Sequence, residues 1–78
     1  MKITYDPEVD AAYIQLVDKI SPGQASEQIH SILTPGGKGE VTLDFDANGK
    51  MLGVEVLNAK EVLPESVINS ATTITKLT

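Results

Sequence analysis

The 78-residue chain contains no cysteine and no tryptophan, and three residues supply all of its aromatic side chains. The absence of cysteine excludes disulfides and thiolate metal sites, which agrees with a reducing compartment. No apolar run approaches the roughly 18–20 residues that span a bilayer, and the N-terminal residues "MKITYDPEVD" lack the apolar segment of a secretory signal. These absences predict a cytoplasmic protein without a membrane segment.

Positive charge is also scarce, because six Lys and Arg residues stand against eleven Asp and Glu residues and leave a net charge of −5. Phosphate backbones repel such a chain, so we expect no direct nucleic-acid binding and a basic protein as the partner. The length allows a single small domain over residues 1–78. A domain of this size has a thin core, and forming a homodimer is one way in which such domains gain stability.

Residues 41–56 predict a β-hairpin, because apolar and polar side chains alternate on both sides of Asn48-Gly49. This dipeptide favours a type I′ turn, in which both central residues have positive φ. Pairing outward from the turn puts the apolar side chains on one face. The expected pairs are Phe45 with Leu52, Leu43 with Val54, and Val41 with Val56.

A second stretch, residues 5–17, follows a similar pattern and predicts the first hairpin of the chain. It turns at Asp6-Pro7, since Asp and Pro favour the first two positions of a β-turn. The expected register places Tyr5 opposite Ala12 and again gathers the apolar side chains on one face.

The remaining segments complete a mainly β fold, at the margin of α+β. We predict an antiparallel sheet of about five strands, built from the two hairpins and a middle strand over residues 26–33. Residues 64–71 ("PESVINSA") predict a short C-terminal helix with proline at its start. Residues 72–78 are expected to form either a final strand or a frayed tail.

Residues 44–55 ("DFDANGKMLGVE") match the spacing of an EF-hand calcium loop. The candidate metal ligands are Asp44, Asp46, Asn48 and Glu55. An EF-hand needs a helix on each side of its loop. Here the upstream residues 34–43 are rich in Gly and alternate like a strand, so a hairpin is the preferred interpretation. A divalent-cation module, with calcium as the ion, is the alternative function, whereas the preferred function has no cofactor.

The predicted outward face of the second hairpin carries three carboxylates, and together with one aromatic residue they form the candidate interaction site: Tyr13, Asp44, Asp46 and Glu55. Tyr13 is placed opposite the core, near Met51 and Leu57 if the hairpins are neighbours. It either contacts a partner protein or is covered by the C-terminal helix. The single histidine, His30, has no catalytic partner at a recognisable spacing, so we assign no catalytic residue. These features predict a non-enzymatic protein–protein interaction module.

Two groups of residues resemble the pattern of a small bacterial family, the domain of unknown function 2283 (DUF2283). The first group is Tyr5, Asp6, Asp10, Tyr13 and Ile14. The second is Asp44, Phe45, Asp46, Gly49, Gly53, Val54, Glu55 and Val56. The resemblance covers most of residues 3–59 and implies a small antiparallel β-rich fold and an antitoxin-like inhibitor role. Two departures are Ala12, where the family tends to have a larger apolar residue, and the stretch 34–39, which is longer than usual.

Overall fold

Two hairpins form the centre of the sheet in the computed structural model, which describes residues 1–74. The strands and helices are β1 (Lys2–Asp6), β2 (Ala11–Gln15), β3 (Glu27–Leu33), β4 (Glu40–Phe45), β5 (Met51–Leu57), α1 (Ala59–Val62), α2 (Glu65–Ser70) and β6 (Thr72–Thr73). The sheet order is β3-β4-β5-β2-β1-β6. All pairs are antiparallel except β1 with β6. The predicted mainly β fold is confirmed, with six strands rather than about five.

The first hairpin has the register that the sequence predicts. Tyr5 pairs with Ala12, and Ile3 pairs with Ile14. Asp6 opens the turn between β1 and β2, because its Oδ1 accepts a hydrogen bond of 3.0 Å from the backbone N–H of Glu8. A side chain that satisfies a backbone donor two residues ahead is typical of Asp at a turn.

The second hairpin follows the predicted register only away from its turn. Leu43 pairs with Val54, as expected, but a bulge follows and Phe45 pairs with Met51 instead of Leu52. The prediction of a type I′ turn is also wrong. That turn requires positive φ at both central residues, and here Gly49 has positive φ whereas Asn48 does not.

The side chain of Asp46 explains the different turn. Its Oδ1 accepts hydrogen bonds of 2.9 Å from the backbone N–H groups of both Asn48 and Lys50. Its carbonyl accepts a third, of 3.0 Å, from the N–H of Gly49. Asp46 therefore organises a longer loop, and a local contact of this kind competes with the tight turn that Asn-Gly favours.

Strand β3 contains a bulge that its sequence signals only weakly. Ile29 pairs with Leu43 and Ile32 pairs with Val41, so the register shifts between them. Ser31 lies in the shifted segment with a φ of 62°. Because the bulge adds a residue, Ile29 and Ile32 reach the same face of the sheet, which explains the irregular alternation of residues 26–33.

The core lies between the sheet and the two helices. Four residues of this cluster are buried: Tyr5, Ala12, Val56 and Ala59. Partly buried apolar side chains pack against them: Ile14, Val41, Val54, Val62, Leu63, Ile68 and Ala71. We call this side of the sheet the helix face and the opposite side the open face. Since side chains alternate along a strand, Tyr13, Asp44 and Glu55 belong to the open face.

The C-terminal region contains the predicted short helix as α2, preceded by the single turn α1. Asn58 precedes α1 with a φ of 56°, and its side-chain amide donates a 2.9 Å hydrogen bond to the carbonyl of Lys38. For Thr72–Thr73 the strand alternative is correct, because they pair with β1 as β6. Residues 75–78 of the predicted tail lie outside the described residues. No helix of the described chain is long and apolar enough to cross a membrane.

Candidate functional site

Asp44 lies near the end of β4 on the open face and is only 8% exposed. Its Oδ2 accepts a 2.8 Å hydrogen bond from the hydroxyl of Tyr13, and its Oδ1 accepts a 2.7 Å hydrogen bond from Nε2 of Gln28. The prediction that Asp44 points into solvent is therefore wrong. Its strand is covered from both sides, since β2 supplies the tyrosine and β3 supplies the amide. A buried carboxylate requires such donors, because an unpaired charge in the protein interior is costly.

Gly53 makes the contact between Tyr13 and Asp44 possible. The strand partner of Tyr13 is Glu55, so the ring must cross β5 diagonally to reach β4. A Cβ atom at Gly53 would lie 2.3 Å from the Tyr13 hydroxyl oxygen and 2.5 Å from Cζ. The absence of a side chain at Gly53 thus provides the room in which the ring lies.

Burial and a neighbouring carboxylate raise the pKa of Tyr13 to about 12. Loss of contact with water is the largest cause, followed by the hydrogen bond to Asp44 and the negative charges of Asp44 and Glu55. The alternative that the C-terminal helix covers Tyr13 is wrong, because Ile68 of that helix packs on the helix face. Tyr13 is half-buried by the sheet itself.

A second tyrosine–aspartate pair, which the sequence analysis missed, lies at the turn end of the first hairpin. Oδ1 of Asp10 accepts a 2.8 Å hydrogen bond from the hydroxyl of Tyr5 and a 3.1 Å hydrogen bond from the backbone N–H of Lys60. The Asp10 carbonyl also accepts from Ala59. Burial, and then Asp10, raise the pKa of Tyr5. Tyr5 itself could have indicated this pair from the sequence, because a tyrosine predicted to lie in the core needs a hydrogen-bond partner for its hydroxyl.

The candidate calcium ligands do not form an EF-hand, since strands β4 and β5 flank the loop where that motif has helices. Asp44 is bonded within the sheet, and Oδ1 of Asp46 is bonded to its own turn. Glu55 is exposed on β5, where it pairs with Tyr13 and Thr42. Across residues 1–74, no group of three or more His, Cys, Asp or Glu side chains is placed to hold a metal ion. Of the four predicted interaction residues, the sheet brings Tyr13, Asp44 and Glu55 together.

Charge is distributed unevenly over the sheet. Strands β3, β4 and β5, which we call the acidic sheet region, are adjacent and contain no Lys or Arg. They carry four carboxylates: Glu27, Glu40, Asp44 and Glu55. Exposed aliphatic side chains lie on the same strands. Leu33, 68% exposed, and Leu57, 40% exposed, share the open face with Glu40, Asp44 and Glu55. Ile29, 54% exposed, and Glu27 belong to the helix face at the outer edge of the sheet. This combination of apolar groups and charge of one sign is suited to contact with a positively charged protein surface.

The fold and this surface define a small β-sheet protein with one helix-covered face and one polar face. Its sequence matches the family described as "Protein of unknown function (DUF2283)" over residues 2–60. The chain therefore belongs to the DUF2283 family, as its tyrosine, aspartate and glycine pattern indicated. Comparisons with curated proteins and with solved structures find no match.

Proposed function

We propose that this protein is a non-enzymatic interaction module that binds a basic partner protein through the acidic sheet region. The observation that carries the proposal is the distribution of charge on three adjacent strands, which hold four carboxylates and no Lys or Arg. A surface of one sign attracts a partner of the opposite sign and increases the rate of their encounter. By covering a basic surface of its partner, the protein would act as an antitoxin-like inhibitor.

The separate carboxylates contribute differently to this proposal. The charge of Asp44 is held by two internal donors, so its role is to fix Tyr13 and Gln28 in place. Exposed Glu55 and half-buried Glu40 lie on the open face and are available to Lys or Arg side chains of a partner, while exposed Glu27 lies on the other face at the β3 edge. Mutual repulsion among exposed carboxylates is relieved when a cationic surface binds, which adds to the attraction.

Charge reversal on the sheet tests this function, with charge reversal on the helices as the matched control. The test variant is Glu40→Lys with Glu55→Lys, and the control variant is Glu61→Lys with Glu65→Lys. Both pairs change the net charge equally, and the control residues are exposed in α1 and α2. Proteins captured from the native cells are purified, and their affinities for all three forms are measured by calorimetry.

We expect the captured partner to be basic, and its affinity to fall at least about tenfold with the sheet variant, because two favourable charge contacts become repulsive. The helix variant should bind like the original protein. Raising the salt concentration from about 0.05 M to about 0.5 M should weaken the complex. Equal loss of binding in both variants would show that net charge alone attracts the partner, and would refute the assigned surface.

A further inference from the structure

Strand β3 forms an outer edge of the sheet, and no other strand of the described chain pairs with its outer side. Six of its seven residues are exposed, and Ile29 and Leu33 are the exposed large apolar side chains among them. The strand contains one charged residue, Glu27, and neither lysine nor proline. Lysine and proline are residues with which proteins commonly block open edges, so β3 keeps an edge that can accept another strand.

The backbone groups that face outward follow from the hydrogen bonds of the inner strands. The N–H of Leu16 donates to the carbonyl of Leu52. This hydrogen bond determines which residues of β5 direct their backbone N–H and C=O groups towards β2. In an antiparallel sheet the bonded residues alternate along each strand. Applied across β5 and β4, this alternation places the backbone N–H and C=O groups of Ile29 and Ile32 on the side of β3 that faces β4. The N–H and C=O groups of Gln28 and Leu33 then point outward, away from the sheet. The bond from Thr34 N–H to the Gly39 carbonyl, 3.0 Å, agrees with this phase.

From this edge we infer that β3 binds an extended, basic segment of the partner protein, which joins the sheet as an additional strand. The inference rests on the proposed function and specifies how the partner is held. Main-chain hydrogen bonds to Gln28 and Leu33 provide affinity, and side-chain contacts on both faces provide selectivity.

Charge decides which kind of strand fits the edge. The three strands nearest to it carry only negative side-chain charges, so an added strand with Lys or Arg side chains is attracted. A second copy of this chain carries a net charge of −5 and would place its own acidic strands beside those of the first. The edge is therefore better matched to a basic segment than to a second copy, although a homodimer through another surface stays a separate prediction.

Hollows beside β3 can receive the side chains of the added strand. One hollow, of about 350 Å³, is lined by apolar and acidic side chains that include Ile29, Phe45 and Glu27. A second hollow, of about 280 Å³, is also lined by apolar and acidic side chains, which include Leu33, Leu57 and Glu40. Because successive side chains of a strand point to opposite faces, an added strand reaches both hollows. Alternating basic and aliphatic residues match this lining.

The bulge at Ser31 limits which strands can pair. It interrupts the edge between the outward groups of Gln28 and Leu33, where the register of β3 with β4 shifts. A flat edge accepts any extended chain, whereas a bulged edge is more twisted and restricts pairing. The bulge thus disfavours indiscriminate aggregation and requires the partner segment to fit the two halves of the edge.

The test measures amide hydrogen exchange by NMR in the complete 78-residue protein. The probe is a pool of synthetic ten-residue peptides in which Lys or Arg alternates with Val or Ile, and the tightest binder is used for the measurements. We expect the amides of Gln28 and Leu33 to exchange at least about tenfold more slowly in the complex, because each becomes hydrogen bonded. The matched peptide with Glu in place of Lys and Arg should not bind.

Two substitutions at one position separate backbone pairing from side-chain contact. Leu33→Pro removes an outward N–H, which an edge strand tolerates, and Leu33→Ser keeps it. Circular dichroism should show both variants folded, and Leu33→Pro should bind the peptide at least about fivefold more weakly than Leu33→Ser, since one hydrogen bond contributes about 1 kcal/mol.

The outcomes distinguish this inference from the proposed function. Peptide binding with unchanged exchange at Gln28 and Leu33 would overturn strand addition and leave binding through the acidic sheet region intact. Failure of every basic peptide would also overturn strand addition, while the proposed function is judged separately by the charge-reversal variants. Slowed exchange at both amides, together with weakened binding by Leu33→Pro, supports the added strand.

Discussion

Within residues 1–74, two tyrosine–aspartate hydrogen bonds of equal length, 2.8 Å, lie in contrasting positions. Tyr5 and Asp10 are five positions apart and connect the first hairpin to α1 on the helix face. Tyr13 and Asp44 are separated by 31 positions and connect β2 to β4 on the open face. Similar chemistry thus serves a local connection in one region and a long-range connection in the other.

Burial differs between the members of the two pairs. In the first pair the tyrosine is buried, with 5% exposure, and the aspartate is half-buried. In the second pair the aspartate is buried and the tyrosine is half-buried. The first pair therefore stabilises mainly through its aromatic ring, and the second mainly by satisfying a buried carboxylate. This difference leads to three predictions, from the largest effect to the smallest.

Truncation of the two rings should give the largest contrast. Tyr5→Ala removes a buried aromatic side chain and should cost about 3–5 kcal/mol of the free energy of unfolding. Tyr13→Ala removes a half-buried ring and one donor to Asp44, and should cost about 1–3 kcal/mol. Urea denaturation at pH 7 measures both, with Tyr5→Phe as a milder variant if Tyr5→Ala does not fold. Equal losses would contradict the assignment of the main core to the helix face.

A methyl group at Gly53 tests the crossing of Tyr13 over β5. In the original protein, Gly53→Ala should cost about 1–3 kcal/mol, because the new Cβ displaces the ring and breaks its hydrogen bond to Asp44. In the Tyr13→Ala background the obstructing ring is gone, so the same substitution should be nearly neutral or slightly stabilising.

The double-mutant cycle from these four proteins gives the coupling energy between the two positions. Denaturant unfolding supplies each free energy, and Gly49→Ala is a useful comparison because its Cβ would meet no atom within 4 Å. Gly49→Ala acts through its positive φ instead, so its cost should be the same with and without the Tyr13 ring. If Gly53→Ala lowers the free energy of unfolding as much in the Tyr13→Ala background as in the original protein, the added methyl group clashes with a group other than the Tyr13 ring.

The sequence predicted features that depend on neighbouring residues. Alternation along 41–56 gave the hairpin and the Leu43–Val54 pair, and Pro64 gave the start of the C-terminal helix. These succeeded because the period of the apolar side chains reports local geometry and burial directly. The first hairpin succeeded for the same reason.

Features that depend on distant residues were not predicted. Asp44 was expected in solvent because nothing near it in the sequence indicates that Tyr13 and Gln28 will reach it. The two-residue β6 was only one of two alternatives, since so short a strand has no measurable alternation. The local turn at Asp46 failed for another reason, because its side chain competes with the conformation that Asn48-Gly49 favours.

Titration of the tyrosines should give the smallest effect, because at pH 7 both hydroxyls are protonated. The folded-state pKa of Tyr13 is about 12, above the ordinary value of 10.0. A raised folded pKa contributes stability that is fully present below pH 10 and is lost as the pH rises through about 12. In a Tyr5→Phe background, where Tyr13 is the only tyrosine, Asp44→Asn should lower the pKa of Tyr13 by removing the adjacent negative charge. Asp10→Asn should leave that pKa unchanged. Ultraviolet absorbance of the tyrosinate measures each pKa. No change with Asp44→Asn would mean that burial and Glu55 set the pKa of Tyr13 without Asp44. The Asp44 carboxylate would then distinguish the two pairs in structure but not in electrostatics.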